Sequence, residues 1–203
     1  MNTPHPRYNA TAMALHWLLG LAILGSMAVG AYMSDLEISP QKLKLYNWHK
    51  WAGMTLLALS VLRLVWRLTH RPPELPPRIA LAMPAWQVTV HHATHRLMYA
   101  LFFIVPLAGW IYSSMAGFPV VLFGVLPLPD LVAVNKPLAK SLEDVHGLLA
   151  YTLLALVLLH VAGALKHHFI DRDGLLSRML PAFGKPEDGA PAGSARPHKD
   201  FSA

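Results

Sequence analysis

The chain has 203 residues, of which 54% are hydrophobic and only 14% charged, and its formal net charge is +6. Soluble domains carry about a quarter charged residues, so this composition excludes an ordinary soluble protein and favours a lipid environment. The sequence contains no cysteine, which excludes disulfides, iron–sulfur clusters and covalently attached c-type haem. Its basic residues form no stripe interleaved with aromatics, so we expect no nucleic-acid partner.

Four apolar segments are long enough to cross about 30 Å of hydrocarbon, which takes roughly 20 residues of helix. They cover residues 12–33, 49–68, 95–115 and 145–169. The first is too long for the core of a signal peptide, so we expect it to be retained as a helix. The sequence therefore predicts an all-α membrane protein, a bundle of four transmembrane helices.

The remaining segments are predicted to be loops and a tail. The loops cover residues 34–48, the Pro-rich 69–86 and the Gly- and Pro-rich 116–144. Residues 1–180 are expected to form one membrane domain. Residues 181–203 are rich in Gly, Pro, Ser and charge, which predicts a disordered cytoplasmic tail.

The distribution of Lys and Arg predicts the orientation in the membrane. Twelve of the 17 basic residues lie in the amino end, the second loop with its flanking helix ends, and the end of the fourth span with the segment after it. The other five lie on the opposite side: Lys42, Lys44, Lys50, Lys136 and Lys140. The positive-inside rule therefore places both termini in the cytoplasm.

Four histidines lie at matched depths in the predicted spans. His16 is near the cytoplasmic start of the first span, and His49 is near the outer start of the second. His146 and His160 are separated by 14 residues, which is about 21 Å along a helix and close to four whole turns. The depths predict an inner pair, His16 with His160, and an outer pair, His49 with His146. Each pair joins two helices, as a haem with two axial histidines requires.

Small residues accompany all four histidines within one helical turn: Gly20, Gly53, Gly147, Ala150 and Gly163. A porphyrin is broad, so side chains beside its axial ligands must be small. Helix packing through small residues is the alternative explanation for each glycine. A non-haem metal protein is the alternative of another class, because imidazole also binds zinc and copper. Sites with two histidines and no carboxylate or thiolate would leave those ions under-coordinated, which favours haem.

These residues resemble the bacterial cytochrome b561 family over residues 8–181. The resemblance rests on the four helix sequences MALHWLLGLAI, NWHKWAGMTLLALSVLRLVWRL, HHATHRLMYALFFIVPLAGW and VHGLLAYTLLALVLLHVAGALKHHF. It implies a bacterial inner-membrane protein with two haems b. The haem iron ligands that it implies are His16, His49, His146 and His160, the same residues that the depths pair.

The resemblance also implies a reaction, in which superoxide at the outer face gives an electron that reaches ubiquinone on the inner side. The five outer lysines are candidates for a cationic entrance, since positive surfaces speed the arrival of small anions. An equal number of acidic residues accompanies them and leaves no net outer charge: Asp35, Glu37, Asp130, Glu143 and Asp144. An entrance therefore depends on local clustering of the lysines.

Further histidines at the cytoplasmic level are candidates for the quinone site: His92, His95, His167 and His168. Quinone reduction consumes protons, and imidazole titrates in a suitable range. His95 and His168 are the residues we expect to bind ubiquinone, the alternative being contact with water or lipid headgroups. Arg63, Arg67 and Arg71 are candidates to neutralise haem propionates.

A rival interpretation within the same fold class is a haem-bearing anchor subunit. Such a subunit takes electrons from a partner redox protein, a dehydrogenase or a hydrogenase, and shows similar helix and histidine patterns. An oxygen-reducing oxidase module is disfavoured, because two histidines on each iron leave no open position for oxygen. The partners expected from the sequence are membrane lipid, a quinone and a small electron donor such as superoxide.

Overall fold

The computed structural model describes residues 7–74 and 77–180, so the predicted tail at 181–203 lies outside the described residues. The helices in this part of the chain are α1 (Ala10–Ser34), α2 (Pro40–Thr69), α3 (Pro77–Ala82), α4 (Ala85–Met115) and α5 (Lys136–Lys166). A π turn (His167–Asp171) and a 3₁₀ turn (Leu176–Arg178) follow α5. A short antiparallel hairpin joins α4 to α5 through β1 (Val121–Leu122) and β2 (Leu126–Pro127).

Three of the long helices begin at a polar cap and not at their first apolar residue. The side chains of Asn9, Ser39 and Asn135 each accept a hydrogen bond from the backbone N–H three residues later, at 2.8–3.2 Å. These bonds satisfy N–H groups that the first turn of a helix leaves without partners. Pro40 and Pro137 sit in the first turns of α2 and α5, where a missing N–H costs nothing.

The predicted loops are wrong in their extent. Helices α2, α4 and α5 begin at residues 40, 85 and 136, nine or ten residues before the spans predicted at 49, 95 and 145. Apolar residues mark only the part of a helix that contacts lipid, whereas the helix itself continues through polar turns to its cap. The loops predicted at 69–86 and 116–144 also contain helix α3 and the β1–β2 hairpin.

The long helices form a bundle in which α1 packs on α2, α4 packs on α5, and α2 packs on α4. The centre of the bundle is apolar and contains Ile23, Met98, Leu101 and Leu153. Many large apolar side chains instead face outward, as expected for a surface in contact with lipid. Within the described residues, four helices are long and apolar enough to cross a membrane: α1, α2, α4 and α5 with its π turn. The predicted fold class is confirmed.

The β1–β2 hairpin covers one end of the bundle, which we call the hairpin side. Phe123 and Gly124 form its turn with φ of 53° and 74°, the positive values that a tight turn between two strands requires. The indole N–H of Trp51 donates to the carbonyl of Val121 at 2.7 Å and fastens the hairpin to α2.

The opposite end of the bundle, which we call the termini side, is closed by Arg178. This side chain is 4% exposed and donates to the carbonyls of Pro73 and Glu74 at 2.8 and 2.9 Å. Its guanidinium lies 5.7 Å from the ring centre of Tyr8, and its carbonyl accepts from the Tyr8 N–H at 3.2 Å. One residue thereby ties the segment after α5 to the start of the chain and to the segment after α2.

Candidate functional site

The structure brings the four predicted ligand histidines together in the predicted pairs. The ring centres of His16 and His160 are 6.0 Å apart, and those of His49 and His146 are 6.2 Å apart. A metal–imidazole bond is about 2.0–2.1 Å long, so two imidazoles on opposite sides of one ion have ring centres roughly 6 Å apart. Both pairs therefore have the separation of two axial ligands.

The residues around these pairs form two layers, one toward each end of the bundle. The termini-side layer contains His16, Arg63, His95 and His160, and the hairpin-side layer contains Gly30, His49, Gly109 and His146. Each long helix contributes one residue to each layer, and the two are always 14 positions apart. Fourteen residues correspond to about 21 Å and nearly four turns, so both residues face the bundle interior.

In the hairpin-side layer, both histidines donate a hydrogen bond to the backbone of the preceding long helix. The Nδ1 atoms of His49 and His146 lie 3.1 Å from the carbonyl oxygens of Ser26 and Val105, respectively. A carbonyl only accepts, so Nδ1 carries the proton and Nε2 keeps its lone pair. Histidines that bind metals commonly donate their other N–H in this way. The hairpin-side pair therefore has the tautomer that metal ligation by Nε2 requires.

Two glycines make this arrangement possible. A Cβ atom on Gly30 would lie 3.0 Å from Cε1 of His49, and one on Gly109 would lie 3.0 Å from Cε1 of His146. Each glycine lies four residues after the residue whose carbonyl accepts the hydrogen bond from the ring. The ring therefore packs against a part of the helix surface that carries no side chain. The sequence analysis missed Gly30 and Gly109. Their spacing of 14 residues from His16 and His95 is the signal that identifies them.

The glycines that the sequence analysis did select have a different environment. Gly20, Gly53, Gly147 and Gly163 are partly buried, yet a Cβ atom on any of them would meet no other atom within 4 Å. Space is thus left beside both imidazole pairs. Space next to paired imidazoles is what a broad planar ring held by axial ligands needs.

The termini-side layer has a different set of contacts. The Nη2 atom of Arg63 lies 3.2 Å from Nδ1 of His16, and its Nε donates to the hydroxyl oxygen of Tyr99 at 3.2 Å. The ring of His95 lies 5.0 Å from that of His160. One of the two ligand histidines therefore contacts a cation here, where both hairpin-side ligands contact carbonyls.

The two histidines predicted for quinone lie in different settings. His95 is partly buried beside His160, and its ring lies 4.3 Å from that of His91, a residue that the sequence analysis did not select. His168 is exposed in the π turn, with its ring 4.7 Å from Phe169. The structure thus brings His95, and not His168, to the ligand pair.

The other two histidines named at this level contact residues outside the ligand pairs. His167 lies 2.6 Å from a carboxylate oxygen of Asp173 and 3.1 Å from one of Asp171. His92 is exposed, and its ring lies 5.4 Å from that of His91. His92 thus lies on the surface of the termini side, whereas His167 is partly buried beside the two carboxylates.

The lysines considered for an anion entrance are largely engaged by other groups. Lys50 donates to the carbonyl of Phe118 at 3.0 Å, and Lys140 forms ion pairs with Glu143 and Asp144 at 3.0 and 3.6 Å. Lys42 and Lys44 lie 5.9 and 4.9 Å from the rings of Tyr46 and Trp48. These four lysines therefore each contact a different group.

Comparison with known proteins shows which family has this sequence pattern. The family described as Prokaryotic cytochrome b561 matches residues 7–182 of the chain. The chain belongs to the prokaryotic cytochrome b561 family. It is therefore a multi-pass bacterial membrane protein that binds haem b and takes part in electron transfer.

Individual relatives of this cytochrome b561 cover nearly its whole length. Cytochrome b561 homolog 2 of Escherichia coli (strain K12) is 33% identical over 180 residues, which is 88% of this chain and 93% of that protein. The Yersinia pestis protein named Probable superoxide oxidase CybB is 27% identical over 182 residues, 87% of this chain and 97% of that protein. Cytochrome b561 homolog 1 of Escherichia coli (strain K12) is 28% identical over 180 residues, with 86% and 97% covered.

The residues present in this cytochrome b561 fit haem b. Two imidazole pairs have the separation of axial ligands. Partly buried glycines leave room beside them, and the hairpin-side imidazoles have their Nδ1 protons directed to carbonyls. The lack of cysteine agrees with a haem that is held without covalent bonds.

Proposed function

We propose that this cytochrome b561 holds two haems b and transfers electrons from superoxide at the outer face to ubiquinone at the cytoplasmic side. One haem lies between His16 and His160 and the other between His49 and His146. The observation that carries the proposal is the pair of imidazole couples, at 6.0 and 6.2 Å, in two layers four helical turns apart. When bound, the haem irons supply one-electron redox chemistry.

The chain's own residues hold and insulate the two centres. Ser26 and Val105 fix the orientation and tautomer of the hairpin-side imidazoles through their carbonyls. Ile23, Met98 and Leu153 fill the bundle between the layers with apolar side chains. Water is thereby kept out of the region between the two layers, and the imidazoles stay in place when the charge of a centre changes.

The donor side is proposed from the relative named a probable superoxide oxidase. Oxidation of superoxide to dioxygen releases one electron and no proton, so the donor step needs no general acid or base. Two superoxide anions, two protons and one ubiquinone give two dioxygen molecules and one ubiquinol. The protons must come from the acceptor side, which we propose to be cytoplasmic because the distribution of Lys and Arg along the sequence follows the positive-inside rule in this orientation.

The acceptor side is proposed at the termini-side layer, with His95 and His168 as ubiquinone-binding residues. His95 supports this proposal by its position, because its ring lies 5.0 Å from the ligand His160. An imidazole there can donate a hydrogen bond to a quinone carbonyl and orient it. His168 lies on the exposed surface of the same end, where a quinone head group enters from the membrane interface.

The purified protein tests the proposed function. We expect reduction by dithionite to give the sharp α-bands of haem b with two axial histidines. We further expect a superoxide generator to drive ubiquinone reduction by the protein alone, and superoxide dismutase to abolish it. A colourless protein after expression with ample haem contradicts haem binding. Quinone reduction that occurs only with an added dehydrogenase or hydrogenase contradicts the superoxide reaction and supports the anchor-subunit alternative.

The quinone residues are tested by single substitutions. We expect His168→Ala and His95→Leu to slow superoxide-driven ubiquinone reduction several-fold while both haems remain, because each removes a hydrogen-bond donor from the proposed site. Initial rates at several ubiquinone concentrations, together with haem content, make the measurement. His92→Ala, which changes an exposed histidine at the same end, is the matched control. An unchanged rate in either variant removes that residue from the site.

A further inference from the structure

Arg63 is a cation inside the membrane-spanning part of the bundle. It is partly buried on α2, 14 residues after His49, and therefore lies in the termini-side layer. Its Nη2 atom is 3.2 Å from Nδ1 of His16, and its Nε donates to the Tyr99 hydroxyl. Charged residues within membrane spans are costly to bury and usually serve a function. Arg63 thus has a position from which it acts on one haem site in particular.

The hairpin-side layer has the opposite electrostatic character. Both of its ligand imidazoles face carbonyl oxygens, which carry partial negative charge. The nearest lysine in sequence, Lys50, directs its ammonium group to the carbonyls of Phe118 and Pro119 at 3.0 and 3.5 Å. Among the described residues, the hydrogen-bond contact between a ligand imidazole and a cationic side chain is the one between His16 and Arg63.

We propose that Arg63 raises the reduction potential of the termini-side haem above that of the hairpin-side haem, and so directs electrons toward the cytoplasmic end. Reduction of a haem removes one positive charge, so a nearby cation favours the reduced state. In the low dielectric of the bundle this effect is stronger than in water. Hydrogen bonds from the ligands to carbonyls make the imidazoles more basic and favour the oxidised state of the other haem. This inference rests on the proposed pairing of the haems.

Tyr99 is the residue that keeps the charge of Arg63 in the layer. A guanidinium only donates, so its contact with His16 requires an unprotonated Nδ1. If His16 held the iron through Nε2, its Nδ1 would carry the proton and could no longer accept a hydrogen bond from Arg63. The Nη2 end of Arg63 would then need another acceptor, and the propionate carboxylates of a haem would suit it. The Nε end remains on the Tyr99 hydroxyl, and the guanidinium centre lies 5.8 Å from the Tyr99 ring centre.

An optical redox titration of the purified holoprotein tests this inference. The wild-type protein is expected to show two separate midpoint potentials. Arg63→Gln should lower the higher midpoint potential and leave the lower one unchanged, so that the difference between them narrows. Arg63→Lys keeps the positive charge and should preserve most of that difference. Arg67→Gln is the matched control, because it removes an equal charge one turn further toward the termini, 5.7 Å from the same Tyr99 ring.

The assignment of the potentials needs a protein with a single haem. The His160→Ala variant is expected to retain the hairpin-side haem alone, and its midpoint should match the lower wild-type value. Tyr99→Phe, which keeps the ring and loses the hydroxyl, provides a second test if Arg63→Gln loses haem, and should narrow the gap to a smaller extent. The inference is overturned if Arg63→Gln shifts both midpoints equally or neither, or if Arg67→Gln has the larger effect.

The failure of this inference is distinguishable from failure of the proposed function. Midpoint potentials are measured without superoxide or ubiquinone, so an inactive protein whose potentials respond to Arg63 still supports it. A protein that binds no haem contradicts both.

Discussion

Replacement of His160 by alanine is expected to lower the haem content of the purified protein from two haems per chain to one. The imidazole of His160 is one half of the termini-side couple, and a haem at this site would be held by one imidazole instead of two. The hairpin-side couple is about 21 Å away along α5 and shares no ligand with it. His16→Ala should have the same effect, and the double variant should lose no more than either single one.

A pyridine haemochrome assay normalised to protein concentration measures this loss. His92→Ala, at an exposed position of the same end, is the control and should retain both haems. The reciprocal variants His49→Ala and His146→Ala should retain the other haem, with a different spectrum and midpoint potential. Two haems per chain in either His16→Ala or His160→Ala would show that the pairing is wrong.

The second large effect is expected at the two glycines that support the hairpin-side histidines. Gly109→Val places methyl groups where the His146 ring lies, because even a Cβ atom there would be 3.0 Å from Cε1. The ring must move, its hydrogen bond to the Val105 carbonyl is lost, and the hairpin-side haem should be lost with it. Gly30→Val should act in the same way through His49. Gly109→Ala and Gly30→Ala should give a partial loss, since a single carbon requires a shift of only a few tenths of an ångström.

Gly25→Val is the matched control for this series. Gly25 lies on the same helix as Gly30, is exposed, and would place its Cβ atom more than 4 Å from any neighbour. It should therefore retain both haems, while it costs the helix a similar change in propensity. Full haem content in Gly109→Val and Gly30→Val would mean that the hairpin-side histidines do not need these surfaces. An equal loss of haem in Gly25→Val would show that the Gly30→Val variant loses haem because the helix is destabilised.

The fold was predictable because long apolar segments of the sequence mark membrane helices directly. The ends of the helices were not predictable, because they depend on single polar residues whose side chains bind the backbone. Ser39 caps α2 and Pro40 follows it, nine residues before the apolar stretch becomes visible. The hairpin between α4 and α5 depends on positive φ at Phe123 and Gly124, and Phe at such a position gives no signal in a sequence.

The histidine couples were predictable because the depth of a residue in a membrane helix can be counted from the sequence. The contacts that hold these histidines in place were not predictable from the sequence. Gly30 and Gly109 are far in sequence from His49 and His146, and only the packing of α1 on α2 and of α4 on α5 brings them together. The setting of His95 beside His160, with His91 next to it, likewise depends on how α4 turns toward α5. The quinone-binding roles of His95 and His168 stay predictions.

The interval of 14 residues that recurs on every long helix amounts to two heptads, and it sets the separation between the two histidine couples. Fourteen residues are close to four whole helical turns, so the same side of each helix faces inward at both levels. Inserting one residue between His146 and His160 would turn the second ring by about 100° out of register, whatever the surrounding sequence. Only a matched change of a whole heptad in all four helices would preserve both couples. The separation of the two histidine couples is thus fixed jointly by four segments, and no single one of them can alter it alone.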